Sequence, residues 1–308
     1  MRLRGMIVTA MADYEELTVT LPDGYKAYGR YWSDSSPRGA VLYQHGIQSH
    51  CDWYESSAAW LADAGYAVLQ VDRRGCGRNP QERGHADSAD QLIADALVAR
   101  DELQRRSGHS AYHAVGVSWG GKLVVRSYIA DPTGVRSLTL VTPGLFPLVG
   151  VSKSEMAEIG MAMIYEPQQR FDIPLDDAEY FTADPRWQAF INDDALTLHQ
   201  CSAGFYLASR RMDKPIAKLG QCEPVAVHLF LAGDERIIDN EKTATFIDDL
   251  NWPDTKTTTY DSSRHSLEFE GDPTVYYRDL VAFVDRAQAA LPADSRFTTS
   301  KTRSEPPS

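Results

Sequence analysis

Residues 116–120 read Gly116-Val117-Ser118-Trp119-Gly120, after an apolar stretch from Ala111 to Val115 that only His113 breaks, and before a stretch compatible with helix. A serine between two glycines at this spacing fits a sharp strand-to-helix turn that pushes the hydroxyl out over the end of a sheet. The glycines leave room for a strained backbone and close packing. A hydroxyl so placed can attack an acyl carbon. That chemistry also needs a base, an acid to orient the base, and donors for the oxyanion. Asp234 follows the apolar run Leu231-Ala232-Gly233 and is the expected orienting acid, while Asp239 reads as the cap of a helix starting near Asn240. His265 follows a later β-like run and is the expected base; it is the only histidine beyond His228. All three lie after strands, at the edge where open α/β sheets bind ligands. The loop Tyr43-Gln44-His45-Gly46-Ile47 supplies the oxyanion site. Its expected donors are the backbone N–H groups of Ile47 and Trp119, with His45 and Gly46 shaping the loop.

Other motifs compete and fall short. Gly116 to Gly121-Lys122 nearly spells a phosphate-binding loop, but Leu123 stands where a magnesium-binding Ser or Thr is required. Gly75-Cys76-Gly77 is half of a dinucleotide fingerprint. His109 and His113 are four apart, as helical metal ligands would be, yet they lie in a segment that reads as strand. No metal and no organic cofactor is expected.

The serine, acid and histidine must be held by regular elements. Glu15 to Leu21 and Tyr25 to Trp32 are β-like runs around Pro22-Asp23-Gly24, a hairpin signal. Strands follow at 40–44, 67–71, 111–115 and 135–141, with helices at 54–64, 88–106 and 119–130 between or after them. The 88–106 helix carries Leu92, Ile93, Ala96, Leu97 and Leu103 on one face. Strands resume at 225–232 and 256–260, with helices near 240–250 and 273–290. Strands alternating with helices imply a mostly parallel, doubly wound α/β sheet, here of eight strands with an N-terminal hairpin. Between 143 and 222 the alternation stops. The expected organisation is a core of residues 1–142 and 223–293, a mostly helical cap at 143–222, and a disordered Ser/Thr/Pro-rich tail at 294–308.

The length of 308 residues suits one large domain with an insertion. A net charge of −12 without a basic stripe argues against nucleic acid as a partner. Cys51, Cys76, Cys201 and Cys222 are scattered and suggest no disulfide framework. The run after Met1-Arg2-Leu3-Arg4 is too short and broken for a signal peptide, and no segment approaches the roughly 20 apolar residues of a membrane span. The expected location is cytoplasmic, and a homo-oligomer is left open.

Several segments carry a resemblance to a known family. His45-Gly46-Ile47-Gln48-Ser49-His50 with Trp53-Tyr54 resembles the His-Gly loop of the monoacylglycerol lipase and lysophospholipase (serine aminopeptidase-like) branch of the α/β-hydrolases. Asp72-Arg73-Arg74-Gly75-Cys76-Gly77-Arg78-Asn79 resembles that branch's Asp-x-Arg-Gly-x-Gly-x-Ser segment. Gly116-Val117-Ser118-Trp119-Gly120-Gly121 resembles its Gly-His-Ser-Met-Gly-Gly turn. Gly233-Asp234 with Asp239, and His265 with Glu268, resemble its acid and base loops. The resemblance spans about residues 15–290 and is weakest in the cap. It implies the α/β-hydrolase fold, with Ser118 as nucleophile, Asp234 as acid and His265 as base, acting on a small-molecule acyl ester. Val117 and Trp119 depart from the family's His and Met, and Trp119 would narrow or reshape the acyl pocket, favouring short to medium chains. Aminopeptidase, thioesterase, acyl transfer and carbon–carbon bond hydrolysis remain alternatives, as does a non-catalytic ligand-binding role.

Overall fold

A computed structural model describes residues 12–33 and 35–290. The readings of the first four residues and of the tail at 294–308 fall outside them. Strands β1 (Glu15–Thr20) and β2 (Lys26–Trp32) form the antiparallel hairpin, its turn made at Gly24 with φ 88°. Then come β3 (Gly39–Gln44), α1 (Glu55–Asp63), β4 (Tyr66–Val71), α2 (Ala89–Ser107), β5 (Tyr112–Val117), α3 (Trp119–Ala130) and β6 (Val135–Val141). Every residue of β3, β4 and β5 is buried. These runs are nearly continuous in apolar residues because helices cover both faces of a parallel sheet. Ser88 caps α2 by accepting from the Gln91 N–H, and Gly108 ends it in the left-handed region, its N–H on the Gln104 carbonyl.

After β6 the chain leaves the sheet for α4 (Lys153–Tyr165), β7 (Arg170–Asp172), α5 (Pro185–Asp193), β8 (Gln200–Ser202) and α6 (Ala203–Ile216). It returns as β9 (Ala226–Ala232), α7 (Asn240–Asp248), β10 (Thr255–Tyr260) and α8 (Thr274–Ala289). The sheet order is β1-β2-β4-β3-β5-β6-β9-β10. Strand β2 runs antiparallel to both neighbours, and the strands from β4 to β10 in that order are mutually parallel. This is the eight-stranded, doubly wound sheet with a leading hairpin that the alternation predicts. Its parallel strands all end on one edge. The loops after β3, β5, β6, β9 and β10 therefore meet there.

Residues 143–222 lie between β6 and β9 and sit on that edge. Helix α6 packs on α2 and α3. Its Phe205 ring lies 5.3 Å from the Trp119 ring, and its Ser209 Oγ accepts from Trp119 Nε1 at 2.8 Å. Asp194 Oδ2 accepts from His50 Nε2 at 2.7 Å and from Trp53 Nε1 at 2.8 Å. The segment is mostly helical, but it also holds the β7–β8 ribbon, paired through Phe171 and Cys201. Three residues per strand are too few for an alternating pattern to register. Among the described residues, no helix is long and apolar enough to cross a membrane.

Beneath the site-bearing edge, the short 3-10 turn Leu267–Phe269 places Glu268 against the first turn of α1. Glu268 Oε1 accepts from the Ser57 N–H at 2.8 Å. Burial raises its carboxyl from the usual 4.5 to about 7, against the lowering effect of the Ser57 bonds. The folded chain thus holds a proton that the unfolded chain releases above about pH 4.5. The stabilisation is fully present below that value and is lost as pH rises through about 7, and it amounts to about 3 kcal/mol at most. Glu268→Gln, an uncharged isostere, should flatten this dependence. Urea unfolding at pH 5 and pH 8 should show the variant gaining on the native chain at pH 8; an unchanged pH dependence would remove Glu268 as its source.

Candidate active site

Strand β5 runs into Ser118 with no intervening loop, and α3 begins at the next residue. Ser118 adopts φ 52° and ψ −123°, in the positive-φ range that side chains rarely enter. Its N–H donates to the Val141 carbonyl at 2.9 Å, and its carbonyl accepts from Gly121 at 2.9 Å and Gly144 at 2.7 Å. The turn is thereby fixed on both sides. The glycines are needed for contact rather than for flexibility. A Cβ on Gly116 would lie 2.6 Å from the Gly120 carbonyl oxygen, and one on Gly120 would run into the Gln44 carbonyl.

The Ser118 hydroxyl reaches His265, with Oγ 2.8 Å from Nε2. His265 is 1% exposed. Phe181, from the inserted segment, meets its ring edge-on at 6.1 Å. On its other side Nδ1 lies 2.9 and 3.0 Å from the two carboxylate oxygens of Glu235. Asp234 is therefore not the partner of His265. Its carboxylate turns outward to Arg236 at 2.9 Å and Arg264 at 3.2 Å, and its side chain is 47% exposed. The physical reason lies in the turn after β9. The Asp234 N–H donates to the Ser263 carbonyl, so the next residue is the one that turns inward. There Glu235 Oε1 collects the backbone N–H groups of Arg236, Ile237 and Ile238 at 3.0, 2.8 and 3.3 Å. Burial raises the Glu235 carboxyl, but His265 and these N–H groups outweigh it and hold the group below its usual range. A carboxylate in that state can accept a hydrogen bond from Nδ1–H, in the tautomer whose Nε2 lone pair faces the serine. Asp239 caps α7, accepting from the Lys242 N–H at 3.0 Å.

The β3 loop closes the site from the opposite side. A Cβ on Gly46 would lie 3.4 Å from Ser118 Cβ and 3.0 Å from Ser49 Oγ, so the loop runs directly beside the serine. His45 is buried; its Nε2 accepts from the Arg73 N–H at 2.8 Å, which puts the ring proton on Nδ1, 2.8 Å from the Gly46 carbonyl oxygen. Burial, and next the Arg73 charge, hold His45 well below its usual value, so this ring is neutral. The Trp119 N–H heads α3, where the helix dipole is positive. Among the described residues, neither the Ile47 nor the Trp119 N–H has an acceptor. The sequence reading brought Ser118, His265, the 45–47 loop and Trp119 to one place and missed Glu235. The available signal was the pairing of Asp234 with Arg236 two residues on, which marks a solvated position, and the apolar Ile237-Ile238 after Glu235.

Known proteins share this chain's fold. The model of the serine aminopeptidase (S33) family matches residues 35–272. A monoacylglycerol lipase of Mycolicibacterium smegmatis is 24% identical over 267 residues, covering 83% of this chain and 91% of the lipase. A non-heme haloperoxidase of Rhodococcus erythropolis is 33% identical over 129 residues, 42% of this chain, and the match spans 44% of that enzyme's length. A soluble variant of monoglyceride lipase from Saccharomyces cerevisiae, solved with a substrate analogue, superposes with a TM-score of 0.77 at 20% identity, covering 92% of this chain and 98% of the lipase. Likeness at that identity speaks for the fold, and the family match spans the sheet from β3 to β10, the serine turn, the insertion and both loops that carry Glu235 and His265. The chain belongs to the serine aminopeptidase (S33) family of α/β-hydrolases.

Proposed function

We propose that this chain is a serine hydrolase of carboxylic esters that works through an acyl-enzyme. The observation that carries the reading is the continuous hydrogen-bonded series from Ser118 Oγ through His265 to Glu235 at the strand ends. His265 Nε2 takes the Ser118 proton as Oγ attacks the ester carbonyl. Glu235 holds the imidazole in the required tautomer and stabilises its cationic form. The N–H groups of Ile47 and Trp119 receive the oxyanion, in a loop whose shape His45 and Gly46 set. His265 returns the proton to the departing alcohol, and a water deprotonated by the same nitrogen releases the acid. Residues 143–222 act as a cap. Their Phe181 beside His265 and Phe205 beside Trp119 favour an apolar acyl chain. The monoacylglycerol lipases among the relatives make lipid-like esters the first substrates to test. The described cysteines are all free, which fits a cytoplasmic setting.

The test is turnover of a p-nitrophenyl ester chain-length series, with monoacylglycerols and lysophospholipids alongside. The native chain should hydrolyse esters with an optimum at short to medium length, and folded Ser118→Ala should be inactive. Undiminished turnover by Ser118→Ala would end the serine-hydrolase reading.

The two neighbouring carboxylates separate cleanly. Glu235→Gln should lower kcat by up to about 10⁴-fold, because an amide supports the wrong tautomer of the histidine. Asp234→Asn should leave kcat within a few-fold, since its carboxylate pairs with Arg236 and Arg264 and does not reach His265. The reverse pattern would return the acid role to Asp234.

A further inference from the structure

Arg73 is 6% exposed, and among the described residues it forms no ion pair with a carboxylate. A buried cation without a counter-charge is costly unless other groups offset the lost hydration. The groups that do so here are specific. Nη1 donates to the Gly46 carbonyl at 3.2 Å, Nη2 to the Ile47 carbonyl at 2.9 Å, and Nη2 also approaches Cys76 Sγ at 3.0 Å. The guanidinium stacks over the Trp119 ring at 4.4 Å and lies 5.2 Å from the Phe205 ring. Among the described residues, its Nε is buried with no partner.

Both carbonyls belong to the loop beside Ser118. The Gly46 carbonyl and the Ile47 N–H are two ends of one planar trans peptide, so fixing the oxygen fixes the direction of the N–H on the opposite side. That oxygen is held twice, by Arg73 Nη1 and by His45 Nδ1. Arg73 also sets the His45 tautomer through its own backbone N–H. One residue thus aims the peptide directly and through the imidazole. A neutral donor could hold the carbonyl in place. A cation additionally polarises the peptide toward a stronger N–H donor and places positive charge behind a developing oxyanion, in surroundings where water does not screen it.

We propose that Arg73 is a positioning residue for the transition state: it orients the Gly46–Ile47 peptide and, through its charge, strengthens the Ile47 N–H as an oxyanion donor. The proposal rests on the reading of Ile47 as that donor. The interaction is worth more when the substrate oxygen is anionic than when it is a neutral carbonyl. It therefore acts on kcat rather than on KM.

The experiment compares the full chain with Arg73→Gln and Arg73→Lys. For each, kcat and KM are measured on p-nitrophenyl butyrate, together with Ki for two inhibitors of matched chain length. One is a trifluoromethyl ketone, which forms an anionic hemiketal with the serine; the other is the corresponding carbinol, which forms none. Arg73→Gln should lower kcat roughly 10- to 100-fold, the range for loss of an oxyanion interaction or somewhat below it. It should weaken the ketone by a similar factor and leave KM and the carbinol Ki within about threefold. Arg73→Lys, which keeps the charge but not the fork to two carbonyls, should fall between, and it carries the test if the Gln variant does not fold. Native kcat and ketone affinity in a folded variant would overturn the proposal. Equal weakening of ketone and carbinol would also do so, since that marks a loss of packing alone. Activity surviving in Ser118→Ala would instead overturn the serine-hydrolase reading beneath it.

Discussion

Ser118 sits in a backbone conformation that costs a non-glycine residue on the order of 1–3 kcal/mol, and the surrounding structure is arranged to hold it there. Its peptide groups are bound to β6, to the first turn of α3 and to Gly144 at the start of the insertion. Gly116 and Gly120 allow β5, α3 and the end of β3 to approach so closely that no Cβ fits between them. The contact of Gly120 with the Gln44 carbonyl also ties the serine turn to the His45–Ile47 loop. The placement of Ser118 and the placement of the loop beside it are therefore one constraint, carried by backbone.

Glu235 and His265 are held differently, by side chains captured in backbone pockets. Glu235 is gripped by three successive N–H groups and buried against the imidazole it faces. The His265 carbonyl accepts from Thr142 Oγ1 at 2.9 Å, which links the base loop back to the end of β6. The insertion completes the arrangement from above. Its Asp194 carboxylate, buried and held well below the usual range mainly by His50 against the effect of burial, anchors it to the loop after β3. Its Phe205 closes a stack with Trp119 and Arg73. In this way the insertion touches both the serine turn and the loop after β3.

Much of this was legible in the chain. Continuous apolar runs ended by glycine or by chemistry-bearing residues marked the parallel strands, and their shared C-terminal edge brought Ser118, His265 and Ile47 together. The carboxylate that meets His265 is Glu235, one residue after the expected Asp234. Pattern alone locates the end of β9, but the Asp234 N–H bonds to Ser263, in a loop far along the chain, and Asp234 faces solvent while Glu235 turns inward. The β7–β8 ribbon was invisible because three-residue strands have no period to detect. Arg73 was read only as part of a motif, because its partners are carbonyls and ring faces, which leave no complementary charge in the sequence.

The most direct test of the account is the covalent intermediate itself. Intact-mass analysis and peptide mapping after exposure to a fluorophosphonate should show a single adduct on Ser118 in the native chain. It should form much more slowly in Glu235→Gln and at close to the native rate in Asp234→Asn. Absence of any adduct in the folded native chain, or labelling at a residue other than Ser118, would contradict it.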